Sequence, residues 1–366
     1  MMERRNAVKT SRVCCVLLCV GLLGVAQGAD DPTIKGRKLS RWVSQLRSRN
    51  IGLQMRASRA LRRAPEELRP RIIPKLLPIL KSDRENDRYA AAQVLGDYGP
   101  AAKAAVPSLL LMLEGTQFER NRAAAAKALG QMLKDSKPSE EIEEVTKKLM
   151  SVFRDRYPDV QREAVRACGM IGPAAKACIP ALKDPLVVTI GRVARDEPNR
   201  KTRRAACWTL GRMGPLAKDY IDRLISKMHE EGKEVPEAAE AIGCIGAIHE
   251  NVVPNMVDFL EKMGRDWRHS PASKMNGWVA LRKFGAKSEP AVPLIARYLR
   301  EGVGTEEPPD VFIEWFRILR AVGPKAKEAL PGARKWADAK RAPGGWTKEK
   351  LAEVRKEAAA AVDAMK

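Results

Sequence analysis

The chain has 366 residues, 45% of them apolar and 31% charged, with a formal charge of +22. That apolar share is enough for a continuous core and excludes a disordered polyelectrolyte. Aromatic residues are only 5%, and alanine fills the shortfall; it is the best helix former and lets helices approach closely, so the composition points to tightly stacked helices. The positive charge favours acidic partners: an acidic protein or peptide, an anionic polymer, a nucleic acid or a membrane surface. Charge alone does not choose among them.

Residues 1–12 form a basic start, followed by the apolar run Val13 to Val25 and then the small residues Ala26, Gly28 and Ala29. This is the order of a secretory signal peptide, with cleavage expected after Gly28. The expectation is a periplasmic or secreted protein. A run of 13 residues is short of the ~20 a spanning helix needs, so contact with a membrane follows only if the signal is kept. Cys14, Cys15 and Cys19 lack the preceding small residue of a lipidation site.

Residues 29–50 are expected to hold a lead-in capping helix, with Ile34, Leu39, Trp42, Val43 and Leu46 on its apolar face. From there to residue 345 one pattern recurs. The segment VLGDYGPAAKAAVPSLLLML from Val94 returns as ACGMIGPAAKACIPAL from Ala167 and as TLGRMGPLAKDYIDRLISKM from Thr209. Weaker copies begin at Ala60, Ala128, Ala241, Ala280 and Ile318. The anchor of each unit falls at Arg62, Gly96, Gly130, Gly169, Gly211, Gly243, Arg282 and Arg320, with gaps of 32 to 42 residues. Eight drifting copies at this period indicate a helical solenoid with no sheet.

One unit is readable in physical terms. The segment before the anchor is apolar at helical spacing, as in Ala91, Ala92, Val94, Leu95 and Tyr98. A second glycine (Gly99, Gly172, Gly214, Gly246, Gly285 or Gly323) suits the left-handed residue at a helix end. A later proline (Pro74, Pro107, Pro180, Pro254, Pro293 or Pro331) is expected to open the next helix, where its missing N–H costs nothing. Loops are expected at residues 264–276, 301–310 and 341–346. Residues 346–366 are expected to cap the array, with Thr347 starting a helix that turns Leu351, Val354, Ala358 and Val362 inward.

These residues resemble the HEAT repeat family in its short alanine-rich form, shared with bilin-lyase-type and armadillo-like repeats. That form places an arginine eight residues before the first glycine, as Arg88, Arg122 and Arg203 stand here; Gln161 and Val235 replace it in two units. The segment Gly36 to Ser48 looks like the lead-in of exported bacterial HEAT proteins. The resemblance implies an α-α superhelix of about eight helix pairs, residues 51–345, whose concave groove makes protein contacts.

Chemistry finds little support. His229, His249 and His269 have no ligand partner at helical spacing, there is no phosphate-cradling glycine loop, and no nucleophile–base arrangement is visible. The expectation is a scaffold or adaptor, not an enzyme, without cofactor or metal. Cys168, Cys178, Cys207 and Cys244 occupy unrelated slots of the repeat and read as free thiols. One stripe of each anchor helix is not apolar. It lies seven and three residues before the anchor and one after it, and reads Tyr89, Gln93, Asp97; Ala123, Lys127, Gln131; Arg162, Arg166, Met170; Arg204, Trp208, Arg212; and Pro236, Glu240, Cys244. Arg162, Arg166, Arg204, Trp208 and Arg212 are the candidate binding residues, since arginine and tryptophan dominate binding hot spots. The competing expectation is a solvated charged stripe with Trp208 packed between repeats.

Overall fold

Backbone hydrogen bonding and the alanine-rich pattern together give a two-layer stack of helices. The computed structural model describes residues 31–114, 117–183, 197–228, 236–265, 271–301, 307–341, 343 and 345–366. The export-signal segment, His229, His269 and parts of the expected loops lie outside the described residues.

The described residues open with a β-hairpin, not with helix. Strands β1 (Thr33–Ile34) and β2 (Arg37–Lys38) pair antiparallel, with Thr33 opposite Lys38 and Ile34 opposite Arg37. Lys35 and Gly36 form the turn, both at positive φ, +51° and +71°, the geometry a two-residue hairpin needs. This corrects the expectation of a lead-in helix that already includes Ile34, and of a chain without strands. The helix α1 (Leu39–Leu46) is only the second half of that segment. The apolar residues expected on the helix are still used: Ile34, Leu39, Trp42 and Leu46 are buried.

The anchor-bearing helices then alternate with a second set. The anchor set is α2 (Ile51–Arg62), α4 (Glu85–Asp97), α6 (Glu119–Met132), α8 (Pro158–Ile171), α9 (Glu197–Met213), α11 (Pro236–Ile245), α13 (Pro271–Phe284) and α15 (Pro309–Val322). Each packs on the next to form one layer. The other layer holds α3 (Arg69–Leu76), α5 (Val106–Met112), α7 (Glu140–Ser151), α10 (Ile221–Met228), α12 (Val252–Arg265), α14 (Val292–Glu301) and α16 (Leu330–Ala337). The result is an α-α superhelix.

The anchor glycines explain the tightness of the first layer. A methyl group on Gly96 would stand 3.0 Å from the Cα of Ala128, and one on Gly243 would stand 2.6 Å from the Cα of Ala280. Gly96, Gly130, Gly211 and Gly243 each receive the alanine two residues before the next anchor, backbone nearly on backbone, while Gly169 receives the side chains of Trp208 and Thr209.

The second glycines take the left-handed conformation expected of them, from φ +57° at Gly99 and Gly214 to φ +79° at Gly172. A 3-10 segment follows in most units, as in Gly99–Ala105 and Gly172–Cys178. Pro107, Pro293 and Pro331 each sit at the second position of the helix they open. Pro74 does not open one. Pro70 takes that place in α3, Pro74 lies inside the helix, and a 3-10 turn over Leu77–Lys81 follows; a proline ring there interrupts the hydrogen-bond ladder. Pro180 opens only the 3-10 turn Pro180–Leu182.

The array closes with α17 (Lys348–Met365), where the Thr347 hydroxyl accepts from the Lys350 N–H at 3.2 Å. Leu351, Val354 and Ala358 are buried against α15 and α16, while Val362 is half-buried. The scarce aromatics gather at this end: Trp278, Tyr298, Trp315, Phe312, Trp336 and Trp346 form one run of ring contacts with centroid spacings of 4.6 to 6.5 Å.

Candidate groove of the anchor helices

The small residues that bring the anchor helices together leave only the stripe positions to vary. In a helix, residues seven and three before a position and one after it share a face. The structure places that face on an open cavity of about 330 Å³ spanning α2, α4, α6 and α8. Its wall includes the stripe residues Tyr89, Gln93, Asp97, Ala123, Lys127, Gln131 and Arg162. A second, smaller hollow lies between α9 and α11, against Trp208, Arg212, Glu240 and Cys244. Of the five candidate residues, Arg162 lines the first hollow and Trp208 and Arg212 the second, while Arg166 and Arg204 line neither.

The five candidate residues sit side by side across α8 and α9, and the contacts are specific. The Arg166 guanidinium stands over the Trp208 ring, 5.2 Å from its centroid. Trp208 itself packs across the interface onto Gly169, where a methyl group would stand 2.5 Å from the indole. Arg162 pairs with Asp159 one turn back and with Glu163 at 3.2 Å. Arg204 pairs with Glu237 of α11. Arg212 pairs with Asp135 and donates from Nε to the Gly169 carbonyl at 3.3 Å. Asp135 is fixed for that role, because its own N–H donates to the Met170 carbonyl at 2.9 Å. Three of the four arginines are thus matched by carboxylates, Arg162 within its own helix and Arg204 and Arg212 from other repeats, and the potential expected from four clustered cations is largely offset there.

The arginines at the family position do different work. Arg122 is buried and pairs with Asp155 through two bonds, Nε at 2.7 Å and Nη2 at 3.0 Å. Arg88 donates to the Ser82 carbonyl at 2.6 Å. Both tie an anchor helix to an adjoining interhelical loop. Where Gln161 stands in this position its amide donates to the Asp155 carbonyl, so the substitution preserves the tether without the charge.

The first anchor helix was not included in the stripe, and there the same rule selects Met55, Arg59 and Arg63, all exposed. The signal available in the sequence was the local charge. Residues 31–82 hold fourteen Lys and Arg against three Asp and Glu, a net +11 out of the chain's +22.

Among the described residues no group of three or more His, Cys, Asp or Glu side chains is placed to hold a metal ion. No helix among them is long and apolar enough to cross a membrane. His249 contacts Asp222 at 3.0 Å on the surface.

A family model described as HEAT repeats matches residues 39–130 and, overlapping it, 73–147. No sequence among the curated proteins matches the chain. Among solved structures it is similar to an importin beta, with TM-score 0.64 and 14% identity over 89% of this chain and 48% of that one. It is also similar to yeast importin-beta, Kap95p, at TM-score 0.59 and 13% identity, over 89% and 45% of the two chains. An engineered protein is similar at TM-score 0.54 and 20% identity, over 89% and 88%. The chain spans about half the length of those importins, and at these identities the likeness is one of fold. The match to the HEAT-repeat model covers residues 39–147, and helix pairs of the same kind continue past them to the closing helix Lys348–Met365.

Proposed function

We propose that this protein is an exported, non-catalytic adaptor that holds an acidic protein or peptide along the face of its anchor helices. The observation that carries the reading is the groove of about 330 Å³ running across four successive anchor helices, lined by polar side chains that the packing leaves free to vary. A lining spread over several repeats suits an extended segment better than a small substrate. The clean wall of ion-paired and amide side chains offers hydrogen bonds but no nucleophile matched to a base. Export is supported by the basic, apolar and small-residue order of residues 1–29.

Nucleic acid and other uniform anionic polymers are the competing partners. Asp97, Glu119, Asp159 and Glu163 in the groove wall oppose a continuous polyanion. The test is chemical cross-linking of the protein from residue 29 onward in an envelope extract of its own cell, with the bound protein identified and then bound in purified form. Purified-partner affinity is measured against duplex DNA as competitor. A defined protein partner that DNA does not displace supports the adaptor; capture of nucleic acid alone rejects it. Intact mass of the native protein decides export, since a mass retaining Val13 to Val25 means an anchor or an unexported chain.

A further inference from the structure

The excess positive charge of this solenoid is concentrated at one end. Residues 31–82, which hold the hairpin, α1, α2 and α3, carry a net +11, whereas the closing helix region 348–366 carries five cations against four carboxylates. A terminal repeat needs a polar outer face, but the closing helix meets that need with nearly balanced charge. The excess at the opening end therefore calls for another explanation.

The cations there surround a concavity. A hollow of about 260 Å³ is lined by Lys35 and Arg37 of the hairpin, Trp42 of α1, and Arg56, Arg59 and Ala60 of α2. Among the described residues none of the four cations pairs with a carboxylate. Two of the three acids in this stretch are engaged elsewhere: Asp31 accepts from the Ser40 N–H at 3.1 Å, and Glu66 pairs with Arg69 at 2.9 Å. This is the opposite of the arginines on α8 and α9, three of which are neutralised from within.

The site is also pre-arranged. The Arg37 guanidinium lies over the Trp42 ring at 4.7 Å and donates to the Gln45 side chain at 3.0 Å. Trp42 is held in turn by its indole N–H, which donates to the Ile34 carbonyl at 2.8 Å. Lys35 projects from a turn with both residues at positive φ. A guanidinium fixed before binding loses little freedom when an anion arrives.

We propose that this hairpin–α1–α2 pocket is the anion grip of the adaptor, taking the clustered aspartate or glutamate side chains of a partner peptide. The inference rests on the reading of the protein as an acidic-partner adaptor and moves its principal contact from α8 and α9 to the N-terminal end. Two features select a peptide. Ile51 and Met55, 62% and 59% exposed, stand two turns and one turn before Arg59 on the same helix face, so an apolar side chain has a place beside the acidic ones. One turn beyond Arg59, Arg62 lines the main groove, whose wall is of mixed sign. A segment with a local acidic cluster continues into that groove without repulsion; a uniform polyanion does not.

The test uses the full mature chain and an oligoglutamate peptide ending in leucine residues, with binding followed by calorimetry at low and at physiological salt. The double variant Arg56→Glu/Arg59→Glu is compared with Arg166→Glu/Arg204→Glu, each checked by thermal melting. The expected result is a roughly tenfold or greater loss of affinity in the first variant only, with weakening by salt in the wild type. Arg59→Lys, which keeps the charge, should retain most of the binding. Loss in the second variant alone leaves the adaptor reading standing and overturns the grip. No binding of the peptide by wild type, or binding only to phosphatidylglycerol vesicles or DNA, overturns both.

Discussion

Gly130 of α6 lies against Ala167 of α8 so closely that a methyl group on the glycine would stand 2.6 Å from the alanine Cα. No real Cβ sits that near a backbone atom, and a backbone atom cannot swing aside as a side-chain tip does. Gly130→Ala gains about 1 kcal/mol of helix propensity but forces the two anchor helices apart. The expected net effect is a loss of about 1–3 kcal/mol, measured by urea unfolding. Gly130→Ser should be at least as costly. An unchanged midpoint for both would mean that the layer spacing is not set by these contacts.

The Arg122–Asp155 pair ties α6 to the loop before α8 through two hydrogen bonds, with side-chain exposures of 6% and 9%. Removing one partner leaves the other buried without compensation, for which a cost of about 3–5 kcal/mol is expected. Arg122→Met and Asp155→Leu should each lower the melting temperature strongly, and the double variant should recover part of the loss. A double variant no better than the sum of the two would show that the pair has no mutual coupling.

The solenoid was legible because its signals are local. A glycine that ends a helix, a proline that starts one, and apolar spacing of 3.6 residues each declare themselves within a few positions, and Gly99, Pro107 and Thr347 all act as their sequence context indicates. The hairpin at Thr33–Lys38 was missed because Ile34, Leu39, Trp42 and Leu46 also fit a helical face. The turn at Lys35–Gly36, with both residues at positive φ, outweighs that spacing. The stripe was legible as a surface from the same periodicity. Its charge state was not, since Asp135 and Glu237 reach Arg212 and Arg204 from other repeats, and such pairing depends on contacts far apart in sequence.

Alkaline stability should depend on the buried thiols. Cys207 is fully buried, and burial, with Glu237 as a lesser cause, pushes its thiol up from 9.0 to about 12. Cys168 is also held well above the ordinary value, by its hydrogen bond with Cys178 and by burial. A raised folded value means that the unfolded chain gives up its proton first. Stability is then fully present below about pH 9 and lost as pH rises toward about 12. Each such group contributes a slope of up to ~1.4 kcal/mol per pH unit in that window. Cys207→Ala should flatten the fall measured by denaturant titration between those pH values. An unaltered slope would show that Cys207 ionises equally in both states.

The last prediction separates packing from binding at the α8–α9 contact. Trp208 presses its indole onto Gly169, and Arg166 lies over that ring at 5.2 Å. The ring is only half-buried, so truncation leaves a cleft that water partly fills. Trp208→Ala is expected to cost about 2–4 kcal/mol, toward the lower part of the range for large-to-small core changes. Arg166→Ala removes a contact on a partly exposed face and should cost under about 1 kcal/mol. Both variants are measured by thermal and chemical unfolding alongside their affinity for the acidic peptide. If Trp208 is a packing residue, its replacement lowers stability while the folded fraction still binds as wild type does. If instead Trp208→Ala leaves stability unchanged and abolishes binding, the ring is a contact residue and the centre of the groove, not its N-terminal end, is where the partner is held.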